Sequence, residues 1–488
     1  AINTAVGTNS LINNTEGEGN IAIGMSALQA NTTANRNTVV GTCAAYATQG
    51  TGHSNTVLGY EALKCNTTGC YNVALGWVSL LDNTTGKFNV ALSRALINNT
   101  TGGSNISIGY DSMQCNTTGC TNVAIGDSTL FKNVSSNDNV AIGGAALYNN
   151  TAANNTAVGK SALNANTTAA GSVAVGYNAL TAHTTGGCNT AVGCNAGGAI
   201  TTGTCNVAIG RATLPNNTTA SNNTAVGAGA LNQNTTANDN TAMGYQSLYL
   251  NTTGAVNASF GGYALNVNTT GAQNTAVGIS SLEKNTTADA NTAVGYRALY
   301  LNTTGTFQTA IGNCAGRSIT TGTHNTTIGQ NSGGLITTGG ENITIGRAAG
   351  QDAVFNLTTE SNRVVMGINA ITNAYIKVAW TVTSDLRDKT EIGDVPHGLD
   401  FVDKLKPVSF KFKKSREDDI PTGTKHYGFL AQDILELEGS DNVIIDNEDD
   451  NNLKYKGEHL VPVLVNAIKE LSEENKDLKS RIETLENN

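Results

Sequence analysis

The chain is short of charge and of aromatic side chains: 13% of its 488 residues are charged and 5% aromatic, where an ordinary globular domain is about one quarter charged. It holds only 5 prolines. No apolar run approaches the roughly 18 residues of a membrane span, and no charged-then-apolar opening reads as a signal peptide, so membrane insertion is not expected. Lys and Arg total 28 against 37 Asp and Glu, a net charge of −9 with no basic stripe. That balance argues against nucleic acid as a partner, because phosphate neutralisation needs clustered cations. The 6 histidines are scattered, so neither a metal centre nor a cofactor is expected. The 55 glycines have no three-residue period, which excludes collagen, and Val, Ile, Leu and Ala recur in order, which excludes disorder. Depletion combined with order points to a regular repeat. Ala1 already lies inside a repeat, so the chain reads as a fragment or processed form whose N-terminal attachment region is elsewhere.

Only 22 of the 65 charged residues precede residue 348, and composition therefore divides the chain in two. The first part is an internal repeat. Its anchor is a glycine recurring from Gly7 to Gly346 in steps of 17, with isolated steps of 16 or 18 and Ser93 in one register. A typical unit, from Thr292, reads T-A-V-G-Y-x-A-L-x-x-N-T-T-G. The residues three and one before the glycine are mostly Thr, Val, Ile or Leu, and the one between is usually Ala. This alternation predicts a short strand. The expectation is that the larger members fill a narrow interior while Ala forms a small outer face that another chain approaches closely. A Leu four residues after the glycine, as at Leu28, Leu63, Leu147 and Leu180, is a second inward anchor. Asn-Thr-Thr-Gly then turns the chain, the Asn bonding the backbone ahead and the Gly supplying a positive φ.

One repeat is one coil. At the strand spacing of β-sheets, about 4.8 Å, some 21 coils make a rod of roughly 100 Å. The fold class is mainly β: a 17-residue-repeat β-roll or β-solenoid rod, followed by a small α+β domain ending in a coiled coil. A coil this short encloses little volume, so several columns are expected side by side. The repeat resembles the head repeats of trimeric autotransporter adhesins, whose N-x-A-I-G units form a β-roll trimer, and similar repeats in phage tail fibres.

Asn-Thr-Thr is read as turn chemistry rather than as glycosylation acceptors or an ice-binding array, since neighbouring Thr in a turn do not make a flat rank on one strand face. The Tyr that recurs just after the glycine (Tyr60, Tyr110, Tyr177, Tyr245, Tyr296) suits either a packed inter-chain contact, the favoured reading, or a glycan-stacking ladder. All 9 cysteines lie in the repeats. Cys65 with Cys70 and Cys115 with Cys120 bracket identical turns, and Cys188 and Cys205 share one phase in consecutive coils, so these are candidate disulfides. Cys43, Cys194 and Cys314 have no obvious partner.

The second part begins after Gly346 with extended segments, Arg363 to Gly367 and Tyr375 to Val382, and reaches Thr383-Ser384-Asp385-Leu386-Arg387-Asp388-Lys389. Leu405-Lys406-Pro407-Val408-Ser409-Phe410-Lys411-Phe412 follows, then Tyr427-Gly428-Phe429-Leu430-Ala431-Gln432-Asp433. This order of motifs resembles the intramolecular chaperone auto-processing domain that ends phage endosialidase tailspikes and many tail fibres and also occurs in the myelin regulatory factor. A serine is a poor nucleophile unless a base takes its proton, and a lysine five positions on serves if folding desolvates it. The resemblance implies that Ser384 attacks the carbonyl of Thr383, that Lys389 is the general base, and that Asp385 and Arg387 orient the site.

Val461, Leu464, Ile468, Leu471, Asn475, Leu478, Ile482 and Leu485 follow 3-4 spacing, an a/d heptad with a polar a position at Asn475. The heptad allows a dimer; the trimer is implied by the resemblance. The expected domains are a rod over 1–346, connector strands over 347–383 and a chaperone domain over 384–488, with its coiled coil at about 460–486. Slippage by one coil costs little when coils look alike, so a C-terminal trimeriser that sets register and is then released makes physical sense. The reading is a tail-fibre or tailspike component, homotrimeric, on the virion and extracellular, facing a host-surface receptor such as a glycan, with self-cleavage as its sole activity. A cell-surface trimeric adhesin with a non-cleaving domain is the alternative. A glycan-degrading spike is disfavoured by the sparse carboxylates of the rod, and a transcription factor by the missing basic region.

Overall fold

The computed structural model describes residues 2–351, 356–368, 370–371, 374–377, 383–413, 416, 419–440, 442–448, 450 and 453–487. The segment expected to be extended at Tyr375 to Val382 lies outside the described residues from 378 onward. The chain divides into two compact units, 1–351 with 357–366, and 352–356 with 367–488.

In the first unit 22 described strands of three residues run from β1 (Thr4–Val6) to β22 (Val364–Met366). Each pairs parallel with the next, like on like: Ala157 lies beside Ala174 and Ala174 beside Ala191. The turns bond the same way, Leu63 N–H donating to the Ser79 carbonyl and Thr67 N–H to the Thr84 carbonyl one coil on. This is the expected β-solenoid. The stack continues past the last repeat glycine, because β22 pairs with β21 (Ile343–Ile345).

Inside and outside are the reverse of the expectation. The middle residue of the strand, usually Ala, points inward and is buried from Ala22 to Thr344, as at Ala74, Ala91, Ala124 and Ala208, whereas flanking strand residues such as Leu58, Ile209, Val277 and Ile311 are exposed. Alternation separates two faces without saying which is inner; size decides it here. The core of the coil already holds the buried Leu (Leu63, Leu147, Leu180), and close packing leaves room for only a methyl on the strand wall.

Exceptions to the repeat obey the same volume rule. Where Gly197, Gly316 and Gly333 replace that Leu, Ile200, Ile319 and Ile336 replace the Asn three residues on. Their Cδ1 atoms come within 3.0, 3.0 and 3.1 Å of where a glycine Cβ would stand. Where Ala45 replaces the Leu, the inward strand residues are Val39 and Val57, both buried. The inward Leu sits at positive φ, 51° for both Leu28 and Leu147. That conformation costs roughly 1–2 kcal/mol, and burying the side chain returns about 1.5–3 kcal/mol.

The rest of the interior is polar. Asn83 Nδ2 donates to Asn66 Oδ1 of the preceding coil at 2.9 Å and to the Gly86 carbonyl at 3.1 Å. The Asn that closes each unit forms a second ladder: Asn72 N–H donates to Asn55 Oδ1 and its Nδ2 to the Gly86 carbonyl, both at 2.9 Å. Both ladders are buried. The turn's first Thr is equally committed, Thr84 Oγ1 donating to the Thr100 carbonyl at 3.0 Å, as turn chemistry requires. The turn's glycines are a second departure. Gly69, Gly86, Gly102 and Gly119 are not at positive φ, and Ala34 and Ala169 fill the same slot. Positive φ falls instead on the strand-ending glycine: Gly24 is at 132°, and a Cβ there would stand 2.5 Å from the Gly41 carbonyl oxygen.

The second unit is α+β. It contains α1 (Leu399–Val402), the antiparallel pair β23 (Val408–Lys413) and β24 (Pro421–Gly428), α2 (Ala431–Glu438), the short pair β25 (Ile445–Asp446) and β26 (Lys454–Tyr455), and α3 (Leu460–Glu486). Its small core is Phe401, Ile434, Ile444, Ile445, Leu460 and Val463.

One rung of the rod is titratable. His183 takes an Asn position in the first ladder and is fully buried. Its Nδ1 is 3.2 Å from Asn166 Oδ1 and its Nε2 is 3.0 Å from Asn189 Nδ2. A neutral ring satisfies both contacts, donating from Nδ1 and accepting at Nε2, and burial pushes its pKa below the usual 6.5. The unfolded chain therefore takes up a proton that the folded coil refuses, so this rung's stability is full above about pH 6.5 and declines as pH falls below it. The protection factors of amides in residues 176–206, exchange divided by the intrinsic rate at each pH, are expected to fall at pH 5 relative to pH 7.5, and His183→Asn, which restores the ladder amide, is expected to abolish that fall.

Candidate functional site

Asp385 organises the segment around the motif serine. It caps a single 3₁₀ turn, Leu386–Asp388, its Oδ1 accepting from Arg387 N–H at 2.9 Å. The Arg387 guanidinium grips the same carboxylate through Nε and Nη2 at 3.0 and 2.6 Å. These hydrogen bonds from Arg387 hold the Asp385 carboxyl below the ordinary range. The turn closes with Asp388 N–H on the Asp385 carbonyl and Lys389 N–H on the Leu386 carbonyl, both at 3.2 Å. That reversal carries the Lys389 side chain back over the start of the motif, with Nζ 2.8 Å from Ser384 Oγ. The sequence spacing of five thus becomes a contact, and Asp385 and Arg387 brace it without touching the hydroxyl. Thr383, Ser384 and Lys389 are all exposed in the single chain.

The other motifs form the scaffold. Val408 to Phe412 lies in β23 and Tyr427-Gly428 ends β24, with Ser409 opposite Tyr427 and a register shift between Phe410 and Phe412. Ala431-Gln432-Asp433 opens α2. The hydrogen bonds that hold this scaffold come from residues that sequence reading missed. Glu438, buried at the end of α2, accepts the N–H groups of Val443, Ile444 and Ile445 at 2.8, 2.7 and 3.0 Å. Glu470 Oε2 accepts Leu399 N–H at 2.6 Å, and Asn466 Nδ2 donates to the Val395 carbonyl at 3.1 Å, strapping the segment before α1 to α3. The one signal for Glu438 is an acidic residue just before a helix-ending Gly439.

On α3, Leu460, Val463 and Ala467 pack into the domain. The heptad residues Val461, Leu464, Ile468, Leu471, Leu478, Ile482 and Leu485 are exposed, at 38–77% of their surface. Asn475 lies between them, its Nδ2 donating to the Leu471 carbonyl at 2.8 Å.

The candidate disulfides are not formed: Cys65, Cys70, Cys115, Cys120, Cys188 and Cys205 are free thiols, as are the other three. Cys65 Sγ instead lies 3.8 Å from Asp82 Oδ1, and Cys120 Sγ accepts Gly103 N–H at 3.3 Å. Cys188 and Cys205 have the same backbone conformation, φ 60° and 55°. Burial pushes the Cys65 and Cys115 thiols up, away from thiolate reactivity.

Fold and site together define a β-solenoid rod joined to a small α+β domain with a serine and lysine in contact and an unburied heptad helix. Residues 384–443 match the family model described as chaperone of endosialidase, a peptidase family. The chain thus carries a chaperone-of-endosialidase domain in its C-terminal part, and this domain with the β-solenoid rod supports a tail-fibre or tailspike type of protein with a trimerisation chaperone. No curated protein shows a significant match to the chain. No helix of the described residues is long and apolar enough to cross a membrane.

Removing the Glu438 carboxylate would leave three amides without an acceptor, two of them, on Ile444 and Ile445, buried. Hydrogen bonds to charged groups contribute roughly 1.5–3 kcal/mol each. Glu438→Ala is therefore expected to lower the stability of the second unit by about 3 kcal/mol or more in urea titrations of the full chain, while the rod transition stays unchanged.

Proposed function

We propose that this chain is a structural, receptor-facing component of a viral tail fibre or tailspike, assembled as a homotrimer by its C-terminal domain and matured by cutting itself between Thr383 and Ser384. The observation that carries the reading is the 2.8 Å contact between Lys389 Nζ and Ser384 Oγ inside the family match.

The chemistry follows from that contact. Lys389, once deprotonated, takes the hydroxyl proton as Ser384 Oγ adds to the Thr383 carbonyl carbon. Collapse expels the Ser384 amide nitrogen, which receives the proton, and leaves Thr383 as an ester on Oγ. Water then hydrolyses the ester, freeing the Thr383 carboxylate and restoring the hydroxyl. A lysine serves as base near neutral pH only when shielded from water, and Ser384 and Lys389 are open to solvent in one chain. Association of three chains supplies the shielding, so cleavage waits for assembly and releases the chaperone domain afterwards.

Two apolar features support the trimer. The heptad of α3 has its hydrophobic positions outward. The residue before the strand-ending position is Val, Ile, Leu, Met or Phe in all 22 described strands, and many of these side chains are about 40% exposed. A column of that length and uniformity is costly in water and matches the interface of identical chains held in register. An adhesin that trimerises without cutting shares these features and differs only at the dyad.

Expressed whole, the wild type is expected to yield a fragment of residues 384–488 by intact mass under denaturing conditions, and Ser384→Ala and Lys389→Ala are expected to stay uncut while remaining trimeric. Ile468→Asp, which charges the heptad seam, is expected to abolish both the trimer in sedimentation and the cut. If the wild type is trimeric yet intact, the domain is a clamp alone and the self-cleavage reading falls.

A further inference from the structure

The column of residues just after the strand-ending position behaves differently from the apolar column beside it. It includes Asp127, Lys160 and Arg211, all exposed, along with Gly, Asn and Cys. In a symmetric trimer each level meets its own copies, so like charges there would be buried against one another; the column therefore faces water. Yet over successive coils it places Tyr60, Trp77, Arg94 and Tyr110 in a row, with the three rings 52, 56 and 54% exposed. Arg94 lies between its neighbours, its guanidinium carbon 5.7 Å from the Trp77 ring centre and 5.1 Å from that of Tyr110. Asp111 neutralises it through an ion pair. Glu61 and Lys64 pair with each other at 2.6 Å on the same stretch. The row is thus three exposed rings around a half-buried, charge-compensated Arg94, and Ser93 replaces the usual glycine beside it.

We propose that Tyr60, Trp77, Arg94 and Tyr110 form a binding strip for a neutral oligosaccharide running along the coil stack. Pyranose rings present flat C–H faces that stack on exposed aromatic rings, and hydroxyls bond to the fixed Asp111 and Arg94 groups. Because both ionic pairs are internally balanced, the strip offers no net positive charge to a polyanionic glycan. Ring positions repeat at the coil rise of about 4.8 Å, which suits an extended chain rather than a single sugar. The inference rests on the receptor-facing reading of the rod and names its ligand class and location.

The full-length trimer is to be tested on a printed array of neutral hexose and N-acetylhexosamine oligosaccharides beside sialylated ones, with sedimentation run in parallel. The expected result is retention of one or more neutral chains, weakened at least about tenfold by Trp77→Ala, with the trimer intact. Tyr296→Ala, in the same column but far along the stack, leaves binding unchanged. Absence of binding to any neutral glycan by a well-formed trimer, binding confined to sialylated chains, or equal binding by Trp77→Ala overturns the strip while leaving the chaperone reading in place. Loss of the trimer in Trp77→Ala overturns it in another way, by making the row an inter-chain contact.

Discussion

Everything in the first unit depends on one constraint: a 17-residue coil cannot satisfy its own backbone. Its strand is three residues long and its turns leave N–H and carbonyl groups pointing along the stack, so each coil is completed by the next. The side chains obey the same rule. The ladder amides accept from one coil and donate to another, and even the turn threonines spend their hydroxyls on the neighbouring carbonyl. A single coil has no reason to fold, and stability accrues only as neighbours add.

That dependence creates the assembly problem which the second unit addresses. Nearest-neighbour stacking rewards any in-phase arrangement, and most coils are near copies, so the energy difference between correct and slipped alignment of several chains is spread thinly. A domain with its own core, a hydrophobic seam on α3 and straps from Glu470 and Asn466 offers what the rod lacks, a unique alignment specified by unlike residues. The serine and lysine in contact lie at the start of that domain, the position at which the proposed self-cleavage would separate it from the rod.

The period, the strand position and the inward Leu were all legible in the sequence, because each recurs and each is dictated by coil geometry. Which face of the strand is inner was not, since Ala and Val alternate equally well either way and only the volume of the closed coil decides. The Leu-to-Gly and Asn-to-Ile exchanges at Gly197 with Ile200 and Gly316 with Ile319 look like noise in a repeat alignment; they read as compensation only when the two positions are known to share one small interior. At the candidate site Ser384 and Lys389 were singled out by the motif resemblance, whereas Glu438 was marked only by its place before Gly439, too weak a signal to tell a buried anion receiving three amides from a surface one.

The ladders also fix how the rod bears load. Inter-coil hydrogen bonds run along the stack, so a pull on its two ends loads the bonds within a coil side by side and the coils one after another, as in a chain of links. Strength is then set by the poorest link rather than by the average. The links are not equal: the first ladder is interrupted where Ile200, Ile319 and Ile336 stand for Asn, and the second is thinned where Ser172 receives Asn189 N–H at 3.4 Å. Adding further perfect repeats at either end would therefore lengthen the rod without making it any harder to break.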